Sequence, residues 1–286
     1  MTKSLDANWF TEVSNGDGSA FSLKIIEKLL DVHSPYQHLE VYATETYGNL
    51  MVLDGCVMLT DRDNFLYHEM MAHPALFTHA DPKRVVIIGG GDCGTLREVL
   101  KHPGVEHVTQ IDIDEEVTKA AKRFFPALTE SNDDPRAELL FADGVKWVDA
   151  AEEASIDVMI IDSTDPVGPA EGLFKTDFLK RCHRILKDGG VIVQQSESPL
   201  YHSGSIIRDL REGMREAGFD SVATLPFPQP VYPSGWWSAT LAGKGCDVTR
   251  FREADASATD LALDYYTAEA HRGALVLPPF MRRLLD

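Results

Sequence analysis

The chain has 286 residues, 44% of them apolar and 25% charged, enough to bury a full α/β core with a small appendage. No apolar run approaches the ~20 residues that cross a bilayer, and Met1-Thr2-Lys3-Ser4-Leu5-Asp6 lacks a signal-peptide core, so a soluble, cytoplasmic protein with no membrane partner is expected. A formal charge of −18 argues against nucleic acid, although acidity also serves plain solubility, and Cys56, Cys93, Cys182 and Cys246 form no CxxC pair that would suggest a zinc site or a disulfide framework.

Residues 1 to about 60 read as β structure. Phe21–Leu30, Leu39–Thr44 and Leu50–Leu59 are strand candidates, with hairpin turns at Tyr47-Gly48-Asn49 and Asp54-Gly55. From Arg62 the pattern turns helical, with Phe65, Met70 and Leu76 among the apolar positions and Asp61 or Asp63 as N-cap. The expected division is a β domain with its linking helix over 1–72 and a second domain over 73–286.

The second part opens on Val85-Val86-Ile87-Ile88, a continuous apolar run that suits a parallel strand covered on both faces. Gly89-Gly90-Gly91-Asp92 follows as a tight turn, and Thr95–Leu100 is the next helix. That order places an adenosine-type ligand at the helix start. Strands at His107–Ile111, Ala137–Phe141, Asp157–Ile161, Val191–Gln194 and Ser221–Leu225 then alternate with helices at Glu115–Phe125, Val145–Ala150, Lys175–Leu186 and Ser205–Ala217. Gly189-Gly190 is expected to close the helix before it, and Ser238–Ala242 to add an antiparallel strand at the sheet end. This is a doubly wound α/β pattern, in which ligands lie beyond the carboxyl ends of the strands.

Those strand ends carry carboxylates. Asp112 closes the second strand 21 residues after Gly91, the spacing at which an acid accepts from both ribose hydroxyls, while Asp114 is the better cap for the following helix. Asp143, in Ala142-Asp143-Gly144, is either an acceptor for an adenine amino group or a helix cap. Asp92 would repel a dinucleotide pyrophosphate and favours a cationic or neutral nucleoside. Asp162 and Asp165 sit three residues apart at the end of the fourth strand, in a loop stiffened by Pro166 and Pro169, and such a pair wants a protonated amine or a sulfonium.

Taken with Ser34-Pro35-Tyr36-Gln37, Tyr47-Gly48-Asn49, Val52-Leu53-Asp54-Gly55, Thr60-Asp61-Arg62-Asp63 and Tyr67-His68-Glu69-Met70, the sequence resembles the spermidine synthase (polyamine aminopropyltransferase) family. The run from Asp162 to Phe174 and Tyr232-Pro233-Ser234-Gly235 carry most of that resemblance. It implies a Rossmann-like, methyltransferase-type sheet behind the β domain. It also implies transfer of the aminopropyl group of decarboxylated S-adenosylmethionine to putrescine, giving spermidine and methylthioadenosine, with no metal and no tightly bound cofactor. The assembly implied is a homodimer or homotetramer.

Carried onto this sequence, the resemblance assigns Gln37, Gly89, Gly91, Asp92, Asp112 and Asp143 to the nucleoside, with Pro169, Ala170 and Leu173 packed around the base. His68 and Asp92 would hold the amine of the aminopropyl arm. Asp162 and Asp165, with Tyr67 and Tyr232, would form the acceptor site, and Trp237 a wall of the diamine channel. An ammonium has no lone pair, so one nitrogen of putrescine must lose a proton before attack; Asp162, assisted by the Tyr67 hydroxyl, is the candidate base. The sequence departs from the family at Asp112, usually glutamate, at Cys93, often glycine, at Met58, glutamine in some relatives, and at Trp236-Trp237. Gln194, Gln195 and Glu197 either touch the diamine or merely lead into the next helix. The rival readings are a methyltransferase using intact S-adenosylmethionine, a silent polyamine-binding protein and, last, a nicotinamide dehydrogenase.

Overall fold

The computed structural model describes residues 5–166 and 168–285, with Pro169 described by its backbone alone. The first sixty residues form an antiparallel sheet of β1 (Trp9–Ser14), β2 (Ser19–His33), β3 (His38–Thr44), β4 (Asn49–Leu53) and β5 (Cys56–Thr60), paired in chain order. β1 escapes the sequence pattern because its residues alternate between exposed and half-buried and none is fully buried. Leu39, Val41, Met51, Leu53 and Leu59 make one apolar face of this sheet.

Helix α1 (Asn64–Thr78) leads to the second sheet. Asp63 stands at its N-cap, but its carboxylate takes the Thr60 hydroxyl at 2.5 Å instead of a helix N–H. The sheet comprises β6 (Arg84–Gly89), β7 (His107–Asp112), β8 (Ala137–Phe141), β9 (Ile156–Asp162), β10 (Leu186–Gln195), β11 (Ser221–Pro228) and β12 (Trp236–Gly243). Their order is β11-β12-β10-β9-β6-β7-β8. The five strands from β10 to β8 are parallel; β12 runs antiparallel to β10 and to β11. Two expectations are corrected here. The antiparallel strand lies one place inside the edge, because the chain turns back after β11 and pairs β12 on both sides. Gly189-Gly190 lies within β10, not at a helix end; the backbone is already extended from Leu186.

Helices α2 (Gly94–Leu100), α3 (Glu115–Phe124), α4 (Gly144–Ala150), α5 (Thr176–Ile185), α6 (Pro199–His202), α7 (Ile206–Glu216), α8 (Glu253–Ala258), α9 (Ala268–Ala274) and α10 (Pro279–Leu285) complete the chain. Alternation along β6 sends Val85 and Ile87 to a core shared with α1 and α2, and Val86 and Ile88 to one shared with α5 and α7. The inner face of the N-terminal sheet packs on α3 through Val117, Ala120 and Ala121, and on Phe125 just beyond it. This contact brings the small sheet over the carboxyl ends of β6 and β7. Among the described residues no helix is long and apolar enough to cross a membrane.

Candidate active site

The reversal of strand order falls at β6, whose neighbours are β9 on one side and β7 on the other. Gly89 and Asp162 end their strands side by side, and the Gly90 N–H donates to the Asp162 carbonyl at 2.8 Å. Gly89 has φ +85°, and a Cβ there would collide with that carbonyl oxygen, so only glycine lets the two strand ends meet. The Asp162 side chain is thereby fixed at the base of a cavity of about 390 Å³. Its Oδ1 accepts from the Tyr67 hydroxyl at 2.7 Å and its Oδ2 from Thr95 at 2.6 Å. Burial, and then the charge of Asp92, raise its pKa, whereas the two hydroxyl donors pull it back.

Tyr67 and His68 come from α1, which is buried on nearly every side. His68 Nε2 lies 3.1 Å from Asp92 Oδ1, and the same oxygen receives the Gly94 N–H at 2.6 Å. Burial would lower the His68 pKa, but Asp92 raises it on balance; burial would raise Asp92, but His68, the Gly94 N–H and Arg97 together lower it. Both shifts favour the charged pair. Gly94 is needed here for space: a Cβ would run into the His68 ring.

At the other end of the cavity, Asp112 receives the Asp114 N–H at 2.8 Å and a second N–H from Gly91. Burial pushes its pKa up to about 6. Asp114 caps α3, as expected, and also takes Gln37 Nε2 at 2.9 Å and the Ser34 hydroxyl at 2.6 Å. Gln37 thus lines the cavity with its amide N–H already committed to Asp114. Asp143 is a helix cap, its Oδ1 accepting from the N–H groups of Val145 and Lys146, and the residue also lines the cavity with Ala170 and Leu173. The side chain of Pro169 lies outside the described residues.

A small branch of about 30 Å³ leaves the main cavity between the two sheets, lined by Asp165, Tyr67, Tyr232, Trp237, Glu12 and Gln195. The Tyr232 ring stands edge-on to Trp237, 4.8 Å between centroids, and its hydroxyl donates to the Met58 carbonyl at 2.5 Å. Trp237 is the tryptophan of the branch; Trp236 packs instead on Phe280. Glu12, whose pKa burial pushes to about 7, was not legible as a site residue, because on an edge strand it looks like one solvent-facing position among others. Thr95 and Gln229 also line or support the cavity without a sequence signal. Cys93 is fully buried with its thiol pushed up to about 11, an inert packing group. The one group of His and carboxylate side chains close enough to hold a metal ion among the described residues, Asp31, His33 and His38, lies on β2 and the β2–β3 hairpin and does not line either cavity.

The arrangement is a cleft lined by Asp92, Asp112, Asp143, Asp162 and Asp165 against the single His68, suited to a nucleoside at one end and amines at the other. Residues 64–251 match the spermine/spermidine synthase domain family, and residues 8–61 match the spermidine synthase tetramerisation domain. The chain is 61% identical over 280 residues to a polyamine aminopropyltransferase of Alkalilimnicola ehrlichii, covering 98% of each. It superposes with a TM-score of 0.93 and 35% identity on a spermidine synthase solved in complex with the transition state analogue AdoDATO, over 99% of this chain and 96% of that one. The spermidine synthase of Thermotoga maritima gives a TM-score of 0.91 at 35% identity, over 97% and 94% of the two chains. The chain belongs to the spermine/spermidine synthase family of polyamine aminopropyltransferases.

Proposed function

We propose that this enzyme transfers the aminopropyl group of decarboxylated S-adenosylmethionine to putrescine, giving spermidine and methylthioadenosine, with Asp162 as general base. The observation that carries this reading is the setting of Asp162: a buried carboxyl of raised pKa, held by Tyr67 and Thr95 where the nucleoside end of the cavity meets the branch. Such a group can take a proton from an ammonium held beside it, and the neutral nitrogen then attacks the carbon next to sulfur. The C–S bond breaks, methylthioadenosine leaves, and one proton is released per turnover.

The remaining roles follow from charge and position. Asp112 accepts from the ribose hydroxyls, with Gln37 and Gly91 beside it and Gly89 shaping the turn; Asp143 accepts from the adenine amino group, and Ala170, Leu173 and Pro169 pack on the base. Asp92, with His68 behind it, holds the amine of the aminopropyl arm. Asp165, Tyr232 and Trp237 bind the far ammonium and methylenes of the diamine, supplying a carboxylate and aromatic faces. Holding two cationic substrates together is the main catalytic contribution, since the surrounding carboxylates offset their repulsion.

The small branch supports a short diamine as acceptor. A panel of putrescine, cadaverine, longer diamines and spermidine, assayed with decarboxylated S-adenosylmethionine, tests this: putrescine should give the highest kcat/KM, and preference for spermidine would make the enzyme a spermine synthase instead. The tetramerisation-domain match and the exposed Val13 and Ile26 on β1 and β2 support assembly of two or four copies through the N-terminal sheet.

A further inference from the structure

Glu197 follows β10 and is 3% exposed, yet it is not among the residues that line either cavity. Its backbone has φ +71°, a left-handed conformation that is strained for a non-glycine residue and is retained where the surroundings fix it. Here the Glu197 N–H donates to Gln195 Oε1 at 3.2 Å, Gln195 Nε2 reaches back to Glu197 Oε1 at 3.4 Å, and Trp237 Nε1 donates to Gln195 Oε1 at 3.2 Å. This geometry turns the glutamate away from solvent and into Asp165, and the two carboxyls hydrogen-bond one another. Two carboxylates have no hydrogen between them, so the contact requires that one of the two hold a proton.

Resting on the reading of Asp165 as an acceptor-site residue, we propose that Glu197 is a positioning residue that shares a single proton with Asp165, so that the far ammonium of the diamine meets a pair of net charge −1 and not −2. Glu197 acts as the donor and Asp165 as the carboxylate that faces the amine. Burial, then the neighbouring Asp165, raises the pKa of Glu197 well above that of an ordinary glutamate, the direction expected of the member of the pair that holds the proton. The other titratable groups around the pair are His202, whose buried Nδ1 lies 3.6 Å from Glu197 Oε2, Asp17 beyond it, 4.0 Å from His202 Nε2, and Glu12 and Cys56 on the opposite wall. His202 favours ionisation of the pair and Asp17 and Glu12 oppose it.

The experiment compares wild type with Glu197→Gln and Glu197→Ala, measuring the KM and calorimetric affinity for putrescine from pH 6 to pH 10. Glutamine keeps a donor toward Asp165 and the same net charge, so at pH 7 its KM should stay within about threefold of wild type. Glu197→Ala, which leaves Asp165 without its donor, should raise KM tenfold or more with kcat and the KM for the nucleoside little changed. As pH rises the wild-type pair loses its proton and binds the dication more tightly; Glu197→Gln cannot, and its profile should lack that limb. A tenfold rise in KM for Glu197→Gln at pH 7, or superimposable wild-type and Gln profiles, would overturn the proposal. Should the alanine variant fail to fold, the glutamine profile decides alone. Calorimetry reads the pair whether or not turnover occurs, so absence of methylthioadenosine from the wild type would count against the reaction and not against the pair.

Discussion

The Tyr67 hydroxyl donates to Asp162 Oδ1 at 2.7 Å, joining α1 to the end of β9 across 95 residues of chain. With Thr95 on the other oxygen, the carboxyl is oriented before any substrate arrives. Asp162→Asn keeps the shape and removes the proposed base; turnover should be abolished while affinity for methylthioadenosine stays within about threefold. Tyr67→Phe removes one hydrogen bond to a charged group, about 1.5–3 kcal/mol, so kcat should fall roughly 10- to 150-fold. Near-normal kcat for Asp162→Asn would show that the base lies elsewhere.

Gly94 leaves room for the His68 ring, and the ring in turn holds Asp92. Gly94→Ala is expected to fold with a loss of about 1–3 kcal/mol from overpacking and to displace the ring from Asp92. In steady-state kinetics the KM for decarboxylated S-adenosylmethionine should rise more than the KM for putrescine. An equal rise in both would contradict the assignment of His68 and Asp92 to the aminopropyl arm.

Asp112, pushed up to about 6 by burial, must be ionised to accept from two ribose hydroxyls. Methylthioadenosine affinity measured by calorimetry should therefore weaken as pH falls through about 6, by roughly tenfold between pH 7 and pH 5. Asp112→Asn should bind weakly at both pH values, without that dependence. A flat wild-type profile would mean that Asp112 does not grip the ribose.

Between α1 and α2, the His73 ring contacts Glu98 at 3.1 Å and His102 at 2.9 Å. Burial would raise Glu98, but His73 and Lys101 hold it at about 2, below its free value of 4.5; burial and His73 depress His102 from 6.5 to about 3. Both folded-state values are lowered, so on acidification the unfolded chain takes up protons that the folded one refuses. Stability should fall as pH drops from about 6.5 to 3 through His102 and from about 4.5 to 2 through Glu98. His68, raised by Asp92, and the carboxyls that burial raises, Glu12, Asp112, Asp162, Asp165 and Glu197, oppose these two, so the contribution of Glu98 is read as a difference between variants. Thermal denaturation checks this: Glu98→Gln should be about 1–3 kcal/mol less stable than wild type at pH 7, and that difference should shrink as pH falls below 4.5. A difference that stays constant from pH 7 to pH 3 would contradict it.

The doubly wound sheet was legible because β6, β9 and the second half of β10 are covered on both faces and so are written as the apolar runs Val85–Ile88, Val158–Ile161 and Val191–Val193. The carboxylates were legible because strand ends are the fixed positions of such a sheet: Asp92, Asp112, Asp143, Asp162 and Asp165 all line the main cavity. Glu12 was not, since only the packing of the N-terminal sheet over the larger one brings an edge-strand glutamate to Asp165. Glu197 was left open between diamine contact and helix entry, and its orientation depends on a left-handed backbone that no local pattern announces. Helices α8 to α10 are short, and their packing is tertiary: α8 lies on α1, α9 on β11 and α10 on α7 through Ile207, Met281 and Leu285, while Glu69 of α1 fixes the loop before α9 by accepting the N–H groups of Asp264, Tyr265 and Tyr266 at 2.8, 2.9 and 2.7 Å.

The most direct measurement is mass spectrometry of the products formed from putrescine with decarboxylated S-adenosylmethionine and, separately, with intact S-adenosylmethionine. Spermidine and methylthioadenosine are expected in equal amounts from the first mixture, and no methylated amine from the second. A methylated amine as main product, or putrescine bound without release of methylthioadenosine, would contradict the proposed transfer.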